Sequence, residues 1–321
     1  MRLLLTGASS FTGVWIARTL AMEGYEVVVA LRGPDQRDAT MRGRRLAFIR
    51  DCCRIVPEAP FGSEPFLELL RREPFDLLCH HGAEVGDYKC PDYDVEAAVR
   101  ANCHDLEPVL EAFLAAGGRA LVLTGSIFEA DEGQGEAPLR AFNPYGLAKT
   151  LTWHRFRFAA ERRGLAMGKL VVAAPFGPLE KDGFTASLMR AWVKGEVAVV
   201  RRPGVVRDHV AIAFLARAYA RLARLTLAEP GTRRASPSGI ALPLQDFAQL
   251  LSERMEPRLG RVCRFIAADP PEATDEPLVR HNHEPMPELH DSAAIVAMWD
   301  DYARYWLEAG QEPSSRLSII S

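Results

Sequence analysis

The segment that most limits the fold of this chain lies at its amino end. A short apolar strand candidate at residues 2–6 runs directly into a turn of small residues, Thr6-Gly7-Ala8-Ser9-Ser10-Phe11-Thr12-Gly13. Apolar residues at helical spacing follow from position 14 to position 23, and Gly24 ends that helix. A glycine turn between a strand and a helix presents backbone N–H groups and the positive helix end to a phosphate. The segment predicts dinucleotide binding, against the alternative of an ordinary strand-to-helix turn.

Further strand and helix candidates alternate along the chain. We predict strands at residues 26–31, 45–50, 75–80, 120–124 and 168–174, and long helices at 95–116 and 144–163. Such alternation is typical of a parallel sheet with helices on both faces. The predicted fold class is therefore α/β, a Rossmann-like doubly wound sheet that binds its ligand at the carboxyl ends of the strands.

The pattern changes after residue 174, where proline and glycine interrupt short helix candidates. We therefore expect an NAD(P)-binding Rossmann domain at residues 1–174, with a return segment at 205–228. Residues 175–204 and 229–321 are expected to form a smaller C-terminal α/β substrate lobe.

Composition and charge exclude several classes of protein. Of the 321 residues, 48% are hydrophobic and 25% are charged, which is typical of a folded globular protein. The formal net charge of −3 is too balanced for nucleic-acid binding through bulk electrostatics. No apolar run approaches the roughly 18 residues of a membrane span, and the run at residues 3–5 is too short for a signal-peptide core. We expect a cytoplasmic protein with no nucleic-acid or membrane partner.

The metal-ligating residue types do not form a metal-binding pattern. The six cysteines lack zinc-like spacing, and His281, His283 and His290 lie in a proline-rich, polar stretch. We expect reduced thiols, a solvated histidine loop and no metal.

A tyrosine and a lysine four residues apart begin the predicted helix at 144–163. This spacing places Tyr145 and Lys149 on one helix face, and the chain has only five lysines. A phenol with a pKa of about 10 needs a neighbouring cation to act as an acid or base near neutrality. Ser126 follows the strand at 120–124, on the side where a hydroxyl could bond a substrate oxygen. The three residues predict one catalytic site, with a surface Tyr–Lys pair as the alternative.

The residue that follows the second predicted strand indicates which cofactor binds. A site that prefers NAD usually has an acidic residue there for the ribose 2′-hydroxyl, whereas this chain has Arg32. A guanidinium suits a 2′-phosphate, so the prediction is NADP with NAD as the alternative. In a chain this rich in arginine, a solvated arginine is the other interpretation.

Over about residues 1–225 the order of these motifs resembles the extended short-chain dehydrogenase/reductase family. The resemblance is to its NAD(P)-dependent epimerase/dehydratase branch, which modifies nucleotide-activated sugars. It implies that Ser126, Tyr145 and Lys149 are catalytic and that Ser126, Phe184 and Arg207 bind substrate, with Arg207 facing the diphosphate. It also implies these cofactor contacts: Gly7, Ser9, Ser10, Phe11, Thr12, Gly13, Arg32, Asp51, Cys52, His81, Gly82, Ala83, Asn102, Thr124, Tyr145 and Lys149.

The resemblance implies an epimerase or a 4-ketoreductase of nucleotide sugars. In the related dehydratases, Asp-Glu follows the active-site Ser or Thr, whereas this chain has Ile127-Phe128. Glu129, Asp131 and Glu132 are close in sequence, but we interpret them as a solvated acidic loop, so dehydration is the weaker alternative. Two positions depart from the family pattern, because Ser10 replaces the middle glycine and Ala174 replaces an asparagine.

Two further functions stay open, together with the oligomeric state. One is NADPH-dependent reduction of a non-nucleotide carbonyl, which would not need Arg207. The other is a dinucleotide-binding regulatory scaffold without turnover, against which the intact Ser126, Tyr145 and Lys149 set argues. The two long helices resemble the pair that forms a dimer interface in this family, so we expect a homodimer.

Overall fold

The computed structural model describes residues 1–88, 90–268 and 276–310. The helices are α1 (Phe11–Met22), α2 (Met41–Ala47), α3 (Glu64–Arg72), α4 (Val95–Asn102), α5 (Leu106–Ala115), α6 (Pro144–Glu161), α7 (Phe184–Val193), α8 (Ile212–Ala228), α9 (Leu244–Leu259) and α10 (Ser292–Gly310), with a 3₁₀ turn at Pro287–His290. The strands are β1 (Arg2–Thr6), β2 (Glu26–Ala30), β3 (Cys53–Val56), β4 (Leu77–His80), β5 (Ala120–Ser126), β6 (Gln134–Gly135), β7 (Ala166–Val172), β8 (Ala174–Phe176), β9 (Ala198–Val200), β10 (Val206–Ala211), β11 (Thr232–Ala235), β12 (Pro237–Ser238), β13 (Ile240–Pro243), β14 (Phe265–Ala267), β15 (Val279–His281) and β16 (Glu284–Pro285).

A seven-stranded parallel sheet in the order β11-β7-β5-β4-β1-β2-β3 organises the molecule. Its central strands are continuous apolar runs because helices cover both faces. Side chains alternate between the faces: Leu3 and Leu5 join the core beneath α1 and α8, whereas Leu4 joins the core beneath α3, α5 and α6. The structure thus confirms the predicted doubly wound α/β fold.

One predicted strand is wrong. Residues 45–50 lie in the last part of α2 and the turn after it, and the third strand is β3. Thr40 caps the start of α2, where its hydroxyl accepts a hydrogen bond from Gly43 N at 3.1 Å. Leu46 and Ile49 are both buried and lie three residues apart. This spacing fits one face of a helical turn, although a short apolar run also fits a buried strand.

The helix predicted at 95–116 is interrupted. It forms α4 and α5, separated by residues 103–105, where Asp105 has a positive φ of 45°. The other predicted elements of this half occur with their ends shifted by a few residues; in particular, Ser126 is the last residue of β5 instead of following it.

The later part of the chain adds a smaller layer. Strands β13, β10, β15 and β6 form a second sheet, to which β8 attaches through β10, and α7, α9 and α10 pack beside it. Helix α8 packs on α1 and β7 of the large sheet. The return to the large sheet extends beyond residue 228, since β11 pairs with β7. We propose the two predicted domains, except that β11 belongs to the first domain.

No helix within the described residues is both long and apolar enough to cross a membrane.

Candidate functional site

A cleft of about 940 Å³ opens at the carboxyl ends of the parallel strands. It is lined by the turn after β1 and by residues at the ends of β2, β4 and β5 and at the start of α6. Strands β2 and β4 lie on either side of β1, so the strand order reverses here, where α/β folds bind ligands. Its volume is within the usual range of roughly 300–1,000 Å³ for ligand pockets.

The turn after β1 is tight enough to require glycine at two positions. Gly7 has a φ of +77°, and a Cβ on it would lie 2.5 Å from the backbone nitrogen of Gly82. A Cβ on Gly13 would lie 2.2 Å from the carbonyl oxygen of Gly7. Ser10 caps α1: its hydroxyl accepts from Gly13 N at 3.0 Å and donates to Gly7 O at 2.8 Å. The serine that replaces the family's middle glycine therefore uses its proton inside the turn.

His81 joins this turn to the end of β5. Its Nε2 lies 3.0 Å from Ser10 Oγ and 2.8 Å from Thr12 Oγ1, and its Nδ1 lies 2.9 Å from Thr124 Oγ1. Because the Ser10 proton is donated to Gly7, Nε2 carries the ring proton and Nδ1 accepts from Thr124. Desolvation, together with the positive charge of Lys149, lowers the pKa of His81 to about 3, so the ring is neutral at physiological pH.

The three predicted catalytic residues line the same cleft. Asn143 caps α6 by accepting from Gly146 N at 2.9 Å, and this helix start carries Tyr145 and Lys149. Ser126 ends β5, where its Oγ accepts a hydrogen bond from Phe128 N at 3.2 Å. The sequence hypothesis of a shared site is therefore consistent with the geometry.

Burial shifts the pKa of both members of the tyrosine–lysine pair. Lys149 is buried and donates to Thr124 O at 2.5 Å, and desolvation lowers its pKa to about 8. Desolvation raises the pKa of Tyr145, and the Glu129 charge and the neighbouring Tyr93 and Tyr88 raise it further. In the protein by itself Tyr145 is thus a neutral phenol, and Lys149 does not bring its pKa near neutrality.

The acidic residues after Ser126 are not a solvated loop, which corrects the sequence interpretation. Glu129 and Glu132 are buried, and both carboxylates accept hydrogen bonds from the buried Lys169, at 2.5 and 2.7 Å. Asp131 is exposed, as predicted. The sequence offered one indication of this cluster: Lys169 stands inside the apolar strand β7, and a buried lysine requires acidic partners.

Asp51 and Cys52, two of the predicted cofactor contacts, lie away from the cleft because the third strand begins after them, at Cys53. They precede β3, at its amino end, and the exposed Asp51 pairs with Arg18 at 3.0 Å. The cleft is lined instead by residues that follow the carboxyl end of β3, namely Ala59, Pro60, Phe61 and Ser63.

Arginines from two elements surround the end of β2. Arg32 is engaged across the cleft mouth, where it donates to Glu84 Oε2 at 2.6 Å. Arg42, near the start of α2, also lines the cleft, and a Cβ on Gly33 would lie 3.6 Å from its Nη2. The Nε and Nη2 atoms of Arg42 are buried and have no hydrogen-bond partner within the described residues. The sequence predicts Arg32 as the contact to a 2′-phosphate, whereas the donors without a partner belong to Arg42.

Most of the other predicted cofactor contacts line the cleft. Asn102 ends α4, where its Oδ1 accepts from Glu84 N at 2.6 Å and its Nδ2 donates to Thr152 at 3.2 Å, which fixes the loop after β4. Phe11 and Gly13, in the first turn of α1, are outside the lining. The lining includes these predicted residues: Gly7, Ser9, Ser10, Thr12, Arg32, His81, Gly82, Ala83, Asn102, Thr124, Tyr145 and Lys149.

The structure does not bring the other two predicted substrate residues, Phe184 and Arg207, to the cleft wall. Arg207 Nη1 donates to the carbonyl oxygens of Val206 and Pro277 at 2.9 and 3.0 Å, and its guanidinium lies over the ring of Phe142. Phe142 in turn stacks on Phe128, which lines the cleft, with ring centroids 4.5 Å apart. Phe184 begins α7 and packs against His209 and Phe247.

The cleft combines a glycine turn after β1 with a serine at the end of β5 and a Tyr–Lys pair on α6. These features define an enzyme of the extended short-chain dehydrogenase/reductase type. The family model described as "NAD dependent epimerase/dehydratase family" matches residues 3–232. The chain belongs to that family. A search of curated protein sequences finds no significant match.

Solved structures with the same fold include sugar-nucleotide enzymes of low sequence identity. UDP-glucose 4-epimerase from Thermotoga maritima, solved with UDP-glucose, is 16% identical, with a TM-score of 0.72 over 96% of this chain and 99% of that one. UDP-glucuronic acid 4-epimerase from Bacillus cereus, solved with UDP-glucuronic acid and NAD, is 16% identical, with a TM-score of 0.73 over 96% and 100%. A dTDP-glucose 4,6-dehydratase from Streptomyces venezuelae is 17% identical, with a TM-score of 0.71 over 96% and 97%.

Proposed function

We propose that the protein is an NADP-dependent enzyme that transfers hydride at a hydroxyl-bearing carbon of a nucleotide-activated sugar, as an epimerase or a 4-ketoreductase. The observation that carries the proposal is the placement of Ser126, Tyr145 and Lys149 in the same cleft as the glycine turn. The turn is suited to a phosphate ligand, and the three side chains are suited to proton transfer beside it.

The residues of the cleft fit a dinucleotide. At Gly7 and Gly82 the two backbones approach so closely that a side chain on Gly7 would be excluded. The cofactor, when bound, supplies the hydride acceptor or donor. Unsatisfied donors on Arg42 favour a 2′-phosphate at the end of β2, which supports NADP over NAD.

The chain's own groups would handle the proton. Ser126 Oγ accepts from Phe128 N, which leaves its hydroxyl proton to be donated to a substrate oxygen. Tyr145 is the proton donor or acceptor, and it is held in an aromatic wall with Tyr88 and Phe128. Lys149, about one turn further along α6, is buried and carries the positive charge that a phenolate requires.

The first experiment identifies the cofactor. Purified protein is denatured, any released nucleotide is identified by mass spectrometry, and binding of added NADPH and NADH is measured. A tightly retained cofactor would support an epimerase, because an epimerase regenerates its cofactor within one cycle. An empty site that prefers NADPH would support a ketoreductase. Failure to bind either dinucleotide would contradict the proposal.

Tyr145→Phe is the test of the catalytic assignment. We expect turnover to fall by about 10²–10⁴-fold, because the variant removes the proton donor and keeps the ring contacts. Affinity for NADPH should be nearly unchanged. The control is Tyr305→Phe on α10, which should retain full turnover. Steady-state kinetics with matched dinucleotide titrations give both values, and near-normal turnover of Tyr145→Phe would remove Tyr145 from the mechanism.

A second candidate function, reduction of a non-nucleotide carbonyl, is favoured by the position of Arg207. This guanidinium is bonded to carbonyl oxygens behind Phe142 and Phe128, so it does not offer a diphosphate clamp in this arrangement. The cleft beside Tyr145 is lined by Val85, Tyr88 and Phe128. A thermal-shift panel of nucleoside diphosphates and nucleotide sugars, measured with the dinucleotide site saturated by NADPH, separates the two functions, since only a nucleotide-sugar enzyme should then be stabilised further.

We also propose a homodimer formed through α6. Leu147, Leu151 and Phe158 follow one another at helical spacing on this helix and are 43%, 42% and 61% exposed. An exposed apolar stripe on a helix is typical of a contact surface. Sedimentation should show a dimer that Phe158→Glu weakens, and a monomer at micromolar concentration would contradict it.

We propose a reducing compartment, the cytoplasm, as the site of action. The six cysteines, all within the described residues, are free thiols, and Cys79, Cys103 and Cys263 are buried. Free buried thiols are typical of proteins kept in a reducing environment.

A further inference from the structure

A cluster of buried charges beneath the catalytic residues has no part in the function proposed above. Glu129 is 0% exposed, Lys169 is 1% exposed and Glu132 is 4% exposed. Lys169 Nζ bonds both carboxylates, and Arg234 donates to the outer one, Glu132, at 3.1 Å. Two acidic and two basic groups leave the cluster neutral. Burying such groups costs several kcal/mol per ion before pairing, so a cluster at this place needs a reason.

Glu129 connects the cluster to Ser126. Its Oε1 accepts a hydrogen bond from Ser126 N at 2.7 Å, and its own N–H donates to Ser126 O at 3.1 Å. Its Oε2 is held by Lys169. A Cβ on Gly125 would lie 2.5 Å from Lys169 Cε and 2.9 Å from Glu129 Oε1, so the cluster packs directly against the backbone that carries Ser126.

We propose that Glu129, with Lys169 as its counter-ion, is a positioning residue: it fixes the Ser126 backbone and places a negative charge beside the Tyr145–Lys149 pair. The inference rests on the proposed function for its meaning in catalysis, but its two physical parts concern the free protein. Glu132, the second carboxylate on Lys169, is balanced by Arg234 on the far side.

The charges around Lys149 indicate the electrostatic effect of Glu129 on this lysine. Desolvation lowers the pKa of Lys149 to about 8, the Glu129 carboxylate opposes that effect, and the Lys169 ammonium adds to it. Cys103, after α4, also faces Lys149, as do His80 and His81 at the end of β4, both of which are neutral. Glu129 is therefore a negative charge that favours the cationic form of Lys149.

The Glu129 charge also raises the pKa of Tyr145, and this disfavours the phenolate. Desolvation raises the pKa of Tyr145, and Glu129, Tyr93 and Tyr88, which face the phenol, raise it further, so Tyr145 stays protonated in the free protein. The Glu129 carboxylate thus favours a cationic amine beside a phenol that desolvation already keeps neutral. That is the protonation state from which a reductase donates a proton.

The test uses the free, full-length protein and the small number of lysines. With five lysines in the chain, the labelled side-chain signals of ¹³C-lysine protein are resolvable, and Lys149→Met assigns the signal of Lys149. In Glu129→Gln, which keeps an acceptor for Ser126 N, we expect the midpoint of the Lys149 titration to fall by about one pH unit or more, because an opposite buried charge is lost. An unchanged midpoint in the folded variant would overturn the proposal.

A matched control distinguishes the specific position of Glu129 from the loss of any buried carboxylate beside Lys169. Glu132→Gln removes the other carboxylate from the same lysine but does not touch Ser126 or act on Lys149. We expect it to shift the Lys149 midpoint much less than Glu129→Gln does. Equal shifts in the two variants would refute a specific role for Glu129.

A measurement on the wild-type protein covers the case in which Glu129→Gln does not fold. The Ser126 amide, assigned through ¹⁵N-serine labelling, should be strongly protected from hydrogen exchange, because it donates to a buried carboxylate. Exchange at the rate of an open loop would contradict the proposal. None of these readouts needs a substrate: shifts as expected without activity on nucleotide sugars would reject the proposed function and leave the role of Glu129 intact.

Discussion

At the scale of single residues, the difference between Arg32 and Arg42 shows how neighbours decide which side chain meets a ligand. Both are basic and both line the cleft near the end of β2. Arg32 already donates to Glu84, whereas Arg42 has buried donors without a partner within the described residues. A dianionic 2′-phosphate would satisfy those donors, and charge-assisted bonds are roughly twice as strong as neutral ones.

Arg42→Ala should therefore weaken NADPH binding by at least about tenfold, since one charged hydrogen bond contributes roughly 1.5–3 kcal/mol. NADH has no 2′-phosphate, so its affinity should change little. Arg32→Ala is the matched control and should have the smaller effect on NADPH. Fluorescence titration of both dinucleotides gives the four ratios, and equal losses for NADPH and NADH would refute the 2′-phosphate assignment.

At the scale of elements, the approach of α6 to the end of β5 builds the site. The helix begins at a Pro144 that follows the Asn143 cap, and the turn after β5 is held against it by Ala130 N donating to Thr150 Oγ1 at 3.0 Å. Gly146 makes the approach feasible: a Cβ there would lie 2.0 Å from the carbonyl oxygen of Phe128.

Gly146→Ala should destabilise the protein even though alanine favours a helix over glycine by about 1 kcal/mol. The added methyl group would push the turn at 126–128 away from Tyr145, and overpacking of this kind costs about 1–3 kcal/mol. Gly204→Ala is the control, because nothing lies within 4 Å of a Cβ at that position. Urea unfolding measures both, and a stabilised Gly146→Ala would show that α6 can move away without cost.

At the scale of the whole molecule, buried histidines make stability depend on pH. Desolvation lowers the pKa of His80, His81 and His209 to about 3 each, from 6.5 when exposed. Below pH 6.5 the unfolded chain binds protons that the folded chain does not, so folding stability is present above pH 6.5 and is lost as the pH falls toward 3. Glu180 acts in the opposite direction between pH 4.5 and 7, since desolvation raises its pKa to about 7.

Three histidines against one glutamate predict a net loss of up to about 3 kcal/mol in the free energy of unfolding per pH unit between pH 6 and 5. Urea unfolding at pH 7, 6 and 5 measures this slope. In His209→Phe, whose ring would keep the stacking on Phe247, the slope should decrease by the equivalent of about one proton. A slope that is the same in both proteins would mean that His209 is protonated in the folded state.

Much of the fold could be predicted because its determinants are local. The glycine turn, the apolar runs of β1 and β2, and the Tyr145–Lys149 spacing each depend on residues close together in the chain. The errors arose where local patterns are ambiguous. Residues 45–50 fit a buried strand as well as one face of a helix, and the acidic stretch at 129–132 reads as solvated unless Lys169 is known to lie beside it.

The sequence by itself determined the α/β class and predicted the glycine turn and the set of Ser126, Tyr145 and Lys149, because spacing along a strand or a helix fixes which side chains share an edge or a face. Only the tertiary structure decided that Arg32 pairs with Glu84 and that Arg207 lies behind two aromatic rings. It also decided that Glu129 accepts the hydrogen bond of the Ser126 amide. The physical reason is that burial, pairing and desolvation depend on residues far apart in the chain, and these set the charge and the availability of each side chain.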